Sequence, residues 1–282
     1  GFLGAHILDC FLSSTKAKIY CLVRKRGTED IENRLKKVLN YYFGNKYDTY
    51  FGKRIIVLNG DITKDNFGLN NKNYKILSNS ITHVVNSAAF VKHFGNYNKF
   101  KNININGTKN IVNFCQKNKK KLYHISTISV SGMDKQNSNK KNQFFSEKNF
   151  FIDQDLNNVY VYTKFEAEKI VFEEINKGLN ACVIRLGNIL NRTYDGKFQI
   201  NFSENAFINR IKSIMNLKMI PKTLLDHNLE ISPVDIVANA IKNIICTDAN
   251  FSVYHVFNPN ILNIKIFLKY LKDLNHPITA VT

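Results

Sequence analysis

The 282-residue sequence lacks the features that mark a membrane or metal protein. No apolar run approaches the roughly 20 residues that a membrane-spanning helix needs. The five cysteines are an odd number, are widely spaced and include no Cys-x-x-Cys pair, and no paired histidine spacing accompanies them. We therefore expect no metal site and no membrane contact. Cysteines set among apolar neighbours are typical of a reducing compartment, which predicts a cytoplasmic location.

Acidic residues are also scarce, because 22 Asp and Glu stand against 40 Lys and Arg and give a formal charge of +18. Such a balance raises the question of nucleic-acid binding. The densest basic runs, Lys117 to Lys121 and Lys140 to Lys141, have no interleaved aromatic side chains on which bases would stack. We expect no nucleic-acid partner, and only weak attraction to acidic proteins.

Low-complexity tracts and internal repeats are absent, and 44% of the residues are hydrophobic. This composition predicts a buried core in one large domain, or in a domain with a small appendage. The sequence starts with Gly1, in the middle of a motif, and we expect it to be a piece that has lost its natural N-terminus.

The first residues predict a nucleotide-binding turn. Gly1-Phe2-Leu3-Gly4 matches the last two glycines of a G-x-x-G-x-x-G turn, and Leu3, Ile7 and Leu8 continue at helical spacing. In such a turn the glycines let the backbone approach a pyrophosphate, and the helix N-terminus supplies N-H donors. A helix that merely begins with glycines is the alternative interpretation.

The residue after the first predicted strand, 18–23, decides the choice of cofactor. An acidic residue at this position, about 20 residues after the glycines, would bind the ribose 2'-hydroxyl of NAD, whereas arginine accommodates the 2'-phosphate of NADP. This sequence has Arg24 there, and Arg34 in the following helix could reach the same phosphate. The pattern predicts NADPH, against the alternative of a solvated basic turn.

Strands and helices alternate along most of the chain. Strands are predicted at 18–23, 54–58, 81–85, 122–125, 181–185 and 253–257, and helices at 29–42, 98–118, 236–245 and 264–274. This alternation predicts an α/β fold with a doubly wound parallel sheet, whose first strand is missing from the sequence.

The alternation is lost between Arg192 and Glu230, which predicts a small substrate-binding subdomain. We therefore expect an NADP-binding core at 1–190, a subdomain insertion at 191–230, and a return to the core with substrate-side elements at 231–282.

Three predicted strand ends carry residues suited to a flat cofactor. Asp61 could accept from the adenine amine, and the small Ala88 and Ala89 let a cofactor lie on the backbone. Gly187 and Asn188 follow a further strand and are expected to face the same cofactor.

Tyr160 and Lys164 stand four residues apart at the start of a helical pattern, so they share one helix face. A neighbouring ammonium favours the phenolate and lowers a pKa that is about 10 in water, so Tyr160 becomes a candidate proton donor and acceptor. The same spacing recurs at Tyr42 and at Tyr97, where an exposed helical pair is the simpler interpretation.

Thr127 distinguishes the Tyr160 pair from the other two. It lies at the end of the predicted strand 122–125, in the segment into which that strand runs, and precedes Tyr160 by just over 30 residues, so the two can flank one crevice. Hydroxyls at strand ends are often only caps. The polar stretch 133–155 between them is long for a connection and is predicted to be a lid over the substrate.

Together these motifs resemble an extended short-chain dehydrogenase/reductase with a Rossmann-type sheet, and within that superfamily the thioester reductase group. Such domains end nonribosomal peptide synthetases, polyketide synthases and carboxylic acid reductases, and are related to fatty acyl-CoA reductases. The matching segments follow the family's order over nearly the whole sequence: Gly1-Phe2-Leu3-Gly4-Ala5-His6, Cys21-Leu22-Val23-Arg24, Arg34-Leu35, Gly60-Asp61-Ile62, Asn86-Ser87-Ala88-Ala89-Phe90-Val91, Asn106-Gly107-Thr108, Ser126-Thr127-Ile128-Ser129-Val130-Ser131-Gly132, Tyr160-Val161-Tyr162-Thr163-Lys164, Arg185-Leu186-Gly187-Asn188-Ile189 and Pro233-Val234-Asp235.

The resemblance implies a role for each matching residue. Thr127, Tyr160 and Lys164 match the catalytic triad, and Tyr160 and Lys164 also contact the cofactor. The other implied cofactor-binding residues are Gly1, Phe2, Leu3, Gly4, Arg24, Arg34, Asp61, Ile62, Ala88, Ala89, Phe90, Gly187 and Asn188. Leu186 departs from the family pattern, which usually has proline there.

The activity implied is the NADPH-dependent release of a carrier-bound acyl or peptidyl thioester as an aldehyde, or as an alcohol after a second reduction. The implied partner is an acyl or peptidyl carrier protein with a phosphopantetheine arm. A nucleotide-sugar epimerase or dehydratase, a fatty acyl-CoA reductase and a non-catalytic NADP sensor are the alternatives. Phe90-Val91 and the Ser126 to Gly132 run favour the reductase over the sugar enzymes, and the Tyr160 and Lys164 pair argues against a sensor.

Overall fold

The computed structural model describes residues 1–92, 95–132, 144–247 and 250–281, and these residues divide into two compact units. The first unit holds Gly1, the described residues from Leu3 to Leu186, and those from Ala238 to Val256. The second holds Phe2, residues 187–237, and the residues from Phe257 onward. Residues 133–143 of the lid predicted at 133–155 lie outside the described residues. The predicted domain boundaries at 190 and 230 stay predictions.

The helices and strands follow one another along the chain in a largely alternating order. They are α1 (Phe2–Ser14), β1 (Ile19–Val23), α2 (Ile31–Phe43), β2 (Ile55–Asn59), α3 (Asn71–Ser80), β3 (His83–Asn86), α4 (Tyr97–Phe100), α5 (Gly107–Asn118), β4 (Lys121–Thr127), α6 (Val159–Ile175), β5 (Ala181–Leu186), β6 (Ile189–Leu190), α7 (Ala206–Leu217), β7 (Met219–Pro221), β8 (Asn228–Leu229), β9 (Ser232–Pro233), α8 (Val234–Cys246), β10 (Val253–Val256), β11 (Leu262–Asn263), α9 (Ile264–Asp273) and β12 (Thr279–Val281).

The strands of the first unit are all parallel, which confirms the predicted α/β class. A four-stranded sheet has the order β10-β5-β4-β3, and β1 pairs separately with β2. In a doubly wound sheet of order 3-2-1-4-5-6, the first strand stands between two such groups. Removing the first strand from that order leaves one pair of strands and one separate group, which is the arrangement of β1 with β2 and of β3 with β4, β5 and β10.

The core of the first unit joins helices α3, α5 and α6 to the strands. Its fully buried members include Val112 and Cys115 on α5, Leu122 on β4, Val171 on α6 and Val183 on β5. Strands buried in this way carry apolar runs rather than alternating patterns, and for this reason they were recognisable in the sequence.

One predicted helix differs from the structure. The sequence pattern predicts a continuous helix at 98–118, but a π-helical turn at Lys101–Asn106 separates α4 from α5. The physical reason is that the wider turn directs the buried amide of Asn104 toward the backbone of Phe90, with which it makes two hydrogen bonds. Helix α3 was not identified in the sequence.

The second unit contains short strand pairs and the helices α7 and α9. The pairs β6 with β9 and β7 with β12 are parallel, and β8 with β11 is antiparallel. The irregular stretch expected between Arg192 and Glu230 therefore contains a helix and two short strands. No helix in the described part of the chain is long and apolar enough to cross a membrane.

Candidate active site

Helix α6 presents Tyr160 and Lys164 on one face. The side chain of Asn158 caps its N-terminus by accepting from Tyr160 N at 2.9 Å and from Val161 N at 3.2 Å. No glycine or proline interrupts the helix through Ile175. The cap therefore fixes the first turn of the helix, from which the Tyr160 side chain projects.

Thr127, the last residue of β4, meets Tyr160. The two side chains are hydrogen-bonded. The Thr127 hydroxyl also accepts from Ser129 N at 3.2 Å and donates to Ser129 Oγ at 3.1 Å. The structure thus brings together the strand-end threonine and the helix tyrosine that the sequence pattern places at one crevice.

Lys164 lies deep between α6 and the sheet. Its side chain is 3% exposed, and its Nζ donates to Ile125 O at 2.6 Å and lies 3.4 Å from His124 Nε2. Burial lowers the pKa of Lys164 to about 8, although the nearby Glu168 carboxylate acts in the opposite direction.

The expected effect of Lys164 on Tyr160 was wrong. Burial raises the pKa of Tyr160 to about 12, and the hydrogen bond with Thr127 offsets this only in part. The reason is that the Lys164 ammonium is directed to the carbonyl of Ile125. In this structure Tyr160 is therefore a protonated donor at neutral pH rather than a group poised to ionise.

A layer of buried polar groups connects this site to the neighbouring strand and helix. Asn86 Nδ2 lies 3.1 Å from His124 Nδ1 and 3.4 Å from Thr108 Oγ1, and Thr108 Oγ1 donates to Asn104 O at 2.7 Å. Burial, and then the charge of Lys164, lower the pKa of His124 well below its usual value. The imidazole is therefore neutral at physiological pH.

Asn104 holds the loop after β3 against α6. Its side chain accepts from Phe90 N at 2.8 Å, donates to Phe90 O at 3.2 Å, and donates to Thr163 Oγ1 at 3.1 Å. It belongs to the π-helical turn, and such turns often occur at functional sites. Phe90, a predicted cofactor contact, is fixed by this amide.

The predicted phosphate site lies at the carboxyl ends of the paired strands β1 and β2. Arg34 Nη1 donates to Arg24 O, and Arg24 Nη1 lies 3.9 Å from Asp61 Oδ2. Burial and the charge of Arg26 lower the pKa of Arg34. These three arginines concentrate positive charge where an anion would relieve their repulsion.

Glycines allow close approach beside this site. A Cβ on Gly60 would lie 2.2 Å from Leu22 Cδ1, and a Cβ on Gly107 would lie 2.6 Å from Ile62 Cδ1. Asp61 Oδ1 accepts from Thr63 N at 2.9 Å, so its carboxylate is held in place. Gly60 therefore lets the chain between β2 and Asp61 pass close to Leu22, while Gly107 lets α5 begin against Ile62.

The helix start and the β3 end also lie together. A Cβ on Gly4 would lie 3.4 Å from Ser87 Oγ, an ordinary contact distance, and Ala88 N donates to Asn86 Oδ1 at 3.3 Å. Gly1, Leu3 and Gly4 are in the first unit with Ala88 and Ala89, whereas Phe2 is assigned to the second.

Gly187 and Asn188 belong to the second unit, where they lie against Glu230. A Cβ on Gly187 would lie 2.5 Å from the Glu230 carboxylate, and Asn188 N donates to Glu230 Oε2. Asn188 Nδ2 also donates to Glu230 O at 3.3 Å. Their expected contact with a cofactor stays a prediction.

Among the described residues, no group of three or more His, Cys, Asp or Glu side chains is arranged to hold a metal ion.

Comparison with protein families decides the identity of the chain. Residues 1–241 match the model of the male sterility protein family, an NAD-binding family. The chain belongs to this family.

A solved structure extends the relationship. The male sterility family chain superimposes with a TM-score of 0.89 and 35% sequence identity on a thiolation-reductase di-domain from an archaeal nonribosomal peptide synthetase. The match covers 100% of this chain and 59% of the other. The resemblance to reductase domains of nonribosomal peptide synthetases is therefore confirmed.

Curated relatives are consistent with this resemblance to reductase domains. The chain is 27% identical over its whole length to one polypeptide of the linear gramicidin synthase of Brevibacillus parabrevis, of which it covers 5%. It is 29% identical over 98% of its length to the large polypeptide of the L-2-aminoadipate reductase of Candida glabrata, of which it covers 20%. The chain thus spans only a small part of each relative.

Five residues beside the site had no role predicted from the sequence: Asn86, Asn104, His124, Glu168 and Arg185. All five are polar and at most 3% exposed. A polar residue inside an apolar strand run was the available signal for His124 and Arg185. Glu168 continues the spacing of four from Tyr160 and Lys164, and this spacing was the available signal for it.

Proposed function

We propose that this chain is an NADPH-dependent reductase that releases a carrier-bound acyl or peptidyl thioester as an aldehyde. The observation that carries the proposal is the hydrogen bond between Thr127 and Tyr160 beside the buried Lys164. It occurs in a chain 35% identical to a thiolation-reductase di-domain.

The residues at the nucleotide end fit NADPH. Arg24 and Arg34 lie together after β1, with Arg24 half exposed, so charge-assisted hydrogen bonds to a 2'-phosphate are available. No acidic residue stands directly at the end of that strand to bind a ribose hydroxyl in its place. Gly1 and Gly4 would let a pyrophosphate approach the start of α1.

When bound, NADPH supplies a hydride to the thioester carbonyl carbon, and negative charge develops on the carbonyl oxygen. Thr127 Oγ1 and Tyr160 OH donate hydrogen bonds at that oxygen, which lowers the barrier. Tyr160 is suited to this because it keeps its proton at neutral pH. Proton transfer from Tyr160 to that oxygen gives a thiohemiacetal, and Lys164 would hold the nicotinamide ribose.

The thiohemiacetal then loses its hydroxyl proton while its carbon–sulfur bond breaks. The sulfur leaves with a proton as the free thiol of the phosphopantetheine arm, and the carbon becomes an aldehyde. A substrate on such an arm implies a carrier protein as partner. Carrier proteins are commonly acidic, and the charge of +18 favours their approach.

The test mixes the full-length protein that contains this chain with an acyl-loaded carrier protein and NADPH. We expect equal amounts of free carrier thiol, oxidised cofactor and aldehyde, the last trapped by a hydrazine reagent. The same acyl group on coenzyme A distinguishes a carrier-dependent enzyme from an acyl-CoA reductase.

Two results would overturn the proposal. Thiol release without loss of NADPH would identify a hydrolase. Turnover of a nucleotide sugar, with every thioester inert, would identify an epimerase or dehydratase.

A further inference from the structure

The buried layer beneath α6 places two basic side chains against each other. His124 is fully buried and Lys164 is 3% exposed, and His124 Nε2 lies 3.4 Å from Lys164 Nζ. The sheet and helix exclude water there, so the two groups cannot both be charged without a large cost. Their charge states must therefore be linked.

Asn86 determines where the imidazole carries its proton. A neutral imidazole has one N-H and one acceptor nitrogen. Asn86 Oδ1 accepts from Ala88 N at 3.3 Å, so its Nδ2 faces His124 Nδ1 at 3.1 Å and Thr108 Oγ1 at 3.4 Å. Because Asn86 donates to Nδ1, Nδ1 is the acceptor and the proton is on Nε2.

That proton points at Lys164. An ammonium has no lone pair to accept it, whereas a neutral amine has one. The carbonyl of Ile125, 2.6 Å from Nζ, accepts an N-H from either form and does not discriminate between them. The imidazole N-H therefore favours the neutral amine.

We propose that Asn86 and His124 are positioning residues that set the charge state of Lys164 through the imidazole tautomer.

The other charged and titratable groups around Lys164 are Glu168 and Tyr160 on the same helix, and Arg185, which pairs with Glu168. Glu168, one turn later, favours the ammonium, but its carboxylate is paired with Arg185 of β5 at 2.8 Å. Tyr160, one turn earlier, is neutral at physiological pH. Within the described residues, β3 and the π-helical turn with α5 face this layer with the neutral side chains of Asn86, Asn104 and Thr108.

The consequence for catalysis rests on the proposed function. In that reaction the ammonium form of Lys164 holds the cofactor ribose and returns a proton to Tyr160. With a pKa of about 8, Lys164 exchanges its proton close to working pH. Without the opposing imidazole N-H, Lys164 would stay an ammonium to higher pH.

The tautomer is measured first, because this needs no enzymatic activity. Long-range nitrogen–proton correlation spectra of the full-length protein, with labelled histidine, distinguish the two neutral tautomers and the imidazolium. The His124 signals are assigned by their loss in His124→Gln. We expect a proton on Nε2 alone at neutral pH. A proton on Nδ1, or on both nitrogens, would overturn the proposal.

Two variants then test the consequence for Lys164. Asn86→Asp replaces the donor with an acceptor, so the proton should move to Nδ1 and Nε2 should accept from the ammonium. In His124→Gln the amide can turn its oxygen toward Lys164. Both changes should move the alkaline limb of the kcat profile upward by about one pH unit or more.

Cys182→Ala is the matched control, since Cys182 is 1% exposed on the neighbouring strand β5 and its thiol donates to Val183 O rather than to a member of the polar layer. It should change kcat by the same factor at every pH and leave the shape of the profile unchanged. If both test variants do the same, His124 is only structural and the proposal fails. If thermal melting shows that Asn86→Asp is unfolded, the pH profile of His124→Gln alone tests the proposal.

Failure of the proposed function gives a different result. The wild-type protein would then consume no NADPH with any thioester, while the spectrum of His124 would still give its tautomer.

Discussion

Glu168 on α6 and Arg185 on β5 form a fully buried ion pair, in which Arg185 Nη2 donates to Glu168 Oε2 at 2.8 Å. Glu168 lies one helical turn after Lys164 and two turns after Tyr160, on the same face of α6. Arg185 also donates to Asn149 O at 3.0 Å, and its guanidinium packs over the ring of Phe145 at 4.7 Å. The pair therefore connects helix α6 to both the sheet and the segment that leads into that helix.

Breaking this pair on one side should destabilise the protein severely. Arg185→Met leaves the Glu168 carboxylate buried without its charge partner, and we expect a loss of about 3–5 kcal/mol in the free energy of unfolding. The double variant Glu168→Met/Arg185→Met removes both charges and should recover much of that loss. Urea unfolding measures both. Equal losses in the single and double variants would contradict this account.

The exposed pair of Lys177 and Glu174, at 2.8 Å, is a control for ion pairing as such. Lys177→Met should leave the unfolding midpoint nearly unchanged, because solvent screens an exposed pair.

Tyr160→Phe should abolish most turnover without unfolding the protein. The change keeps the ring and removes the proton donor, so kcat should decrease by about 10²-fold or more while the melting temperature stays close to that of the wild type. Tyr162→Phe, two residues later on the same helix and 38% exposed, is the matched control and should retain activity. Normal turnover by Tyr160→Phe would remove Tyr160 from the mechanism.

Arg24→Ala should discriminate between the two nicotinamide cofactors. Loss of a charge-assisted contact to the 2'-phosphate should raise KM for NADPH by about tenfold or more, and change KM for NADH little. Steady-state kinetics with each cofactor measures this, and Lys25→Ala, the exposed neighbour, is the control. An equal rise for both cofactors would mean that Arg24 does not bind the phosphate.

The burial of Lys164 should appear in the pH dependence of stability. Its pKa is about 8 in the folded protein and about 10.5 when unfolded, so the unfolded chain binds more protons between these values. The contribution of Lys164 to stability therefore increases as pH rises from 8 to 10. Lys164→Met should flatten this rise relative to the wild type. Parallel curves for the two proteins would show that Lys164 is not titrating in this window.

The sequence predicted the parallel sheet because strands such as β4 and β5 are buried on both faces and carry runs that are largely apolar, interrupted by polar residues such as His124 and Arg185. It also predicted that Thr127 and Tyr160 would meet, because both positions follow from strand and helix boundaries. The direction of the Lys164 side chain was not predictable, since it depends on the carbonyl of Ile125 and on the ring of His124, both on strand β4. The partners Glu168 and Arg185 belong to different elements, so local periodicity does not reveal their pairing.

The π-helical turn at Lys101–Asn106 makes the number of residues in this segment a constraint of its own. A π-helix closes its hydrogen bonds over one residue more than an α-helix does. Deleting a single residue there would let α4 and α5 merge into one regular helix, and the residues inside the former turn would then point in other directions. The amide of Asn104 would then point away from Phe90. We therefore expect conservative substitutions in this turn to be tolerated better than any change in its length, so alignments of related chains should show gaps beside this segment rather than within it.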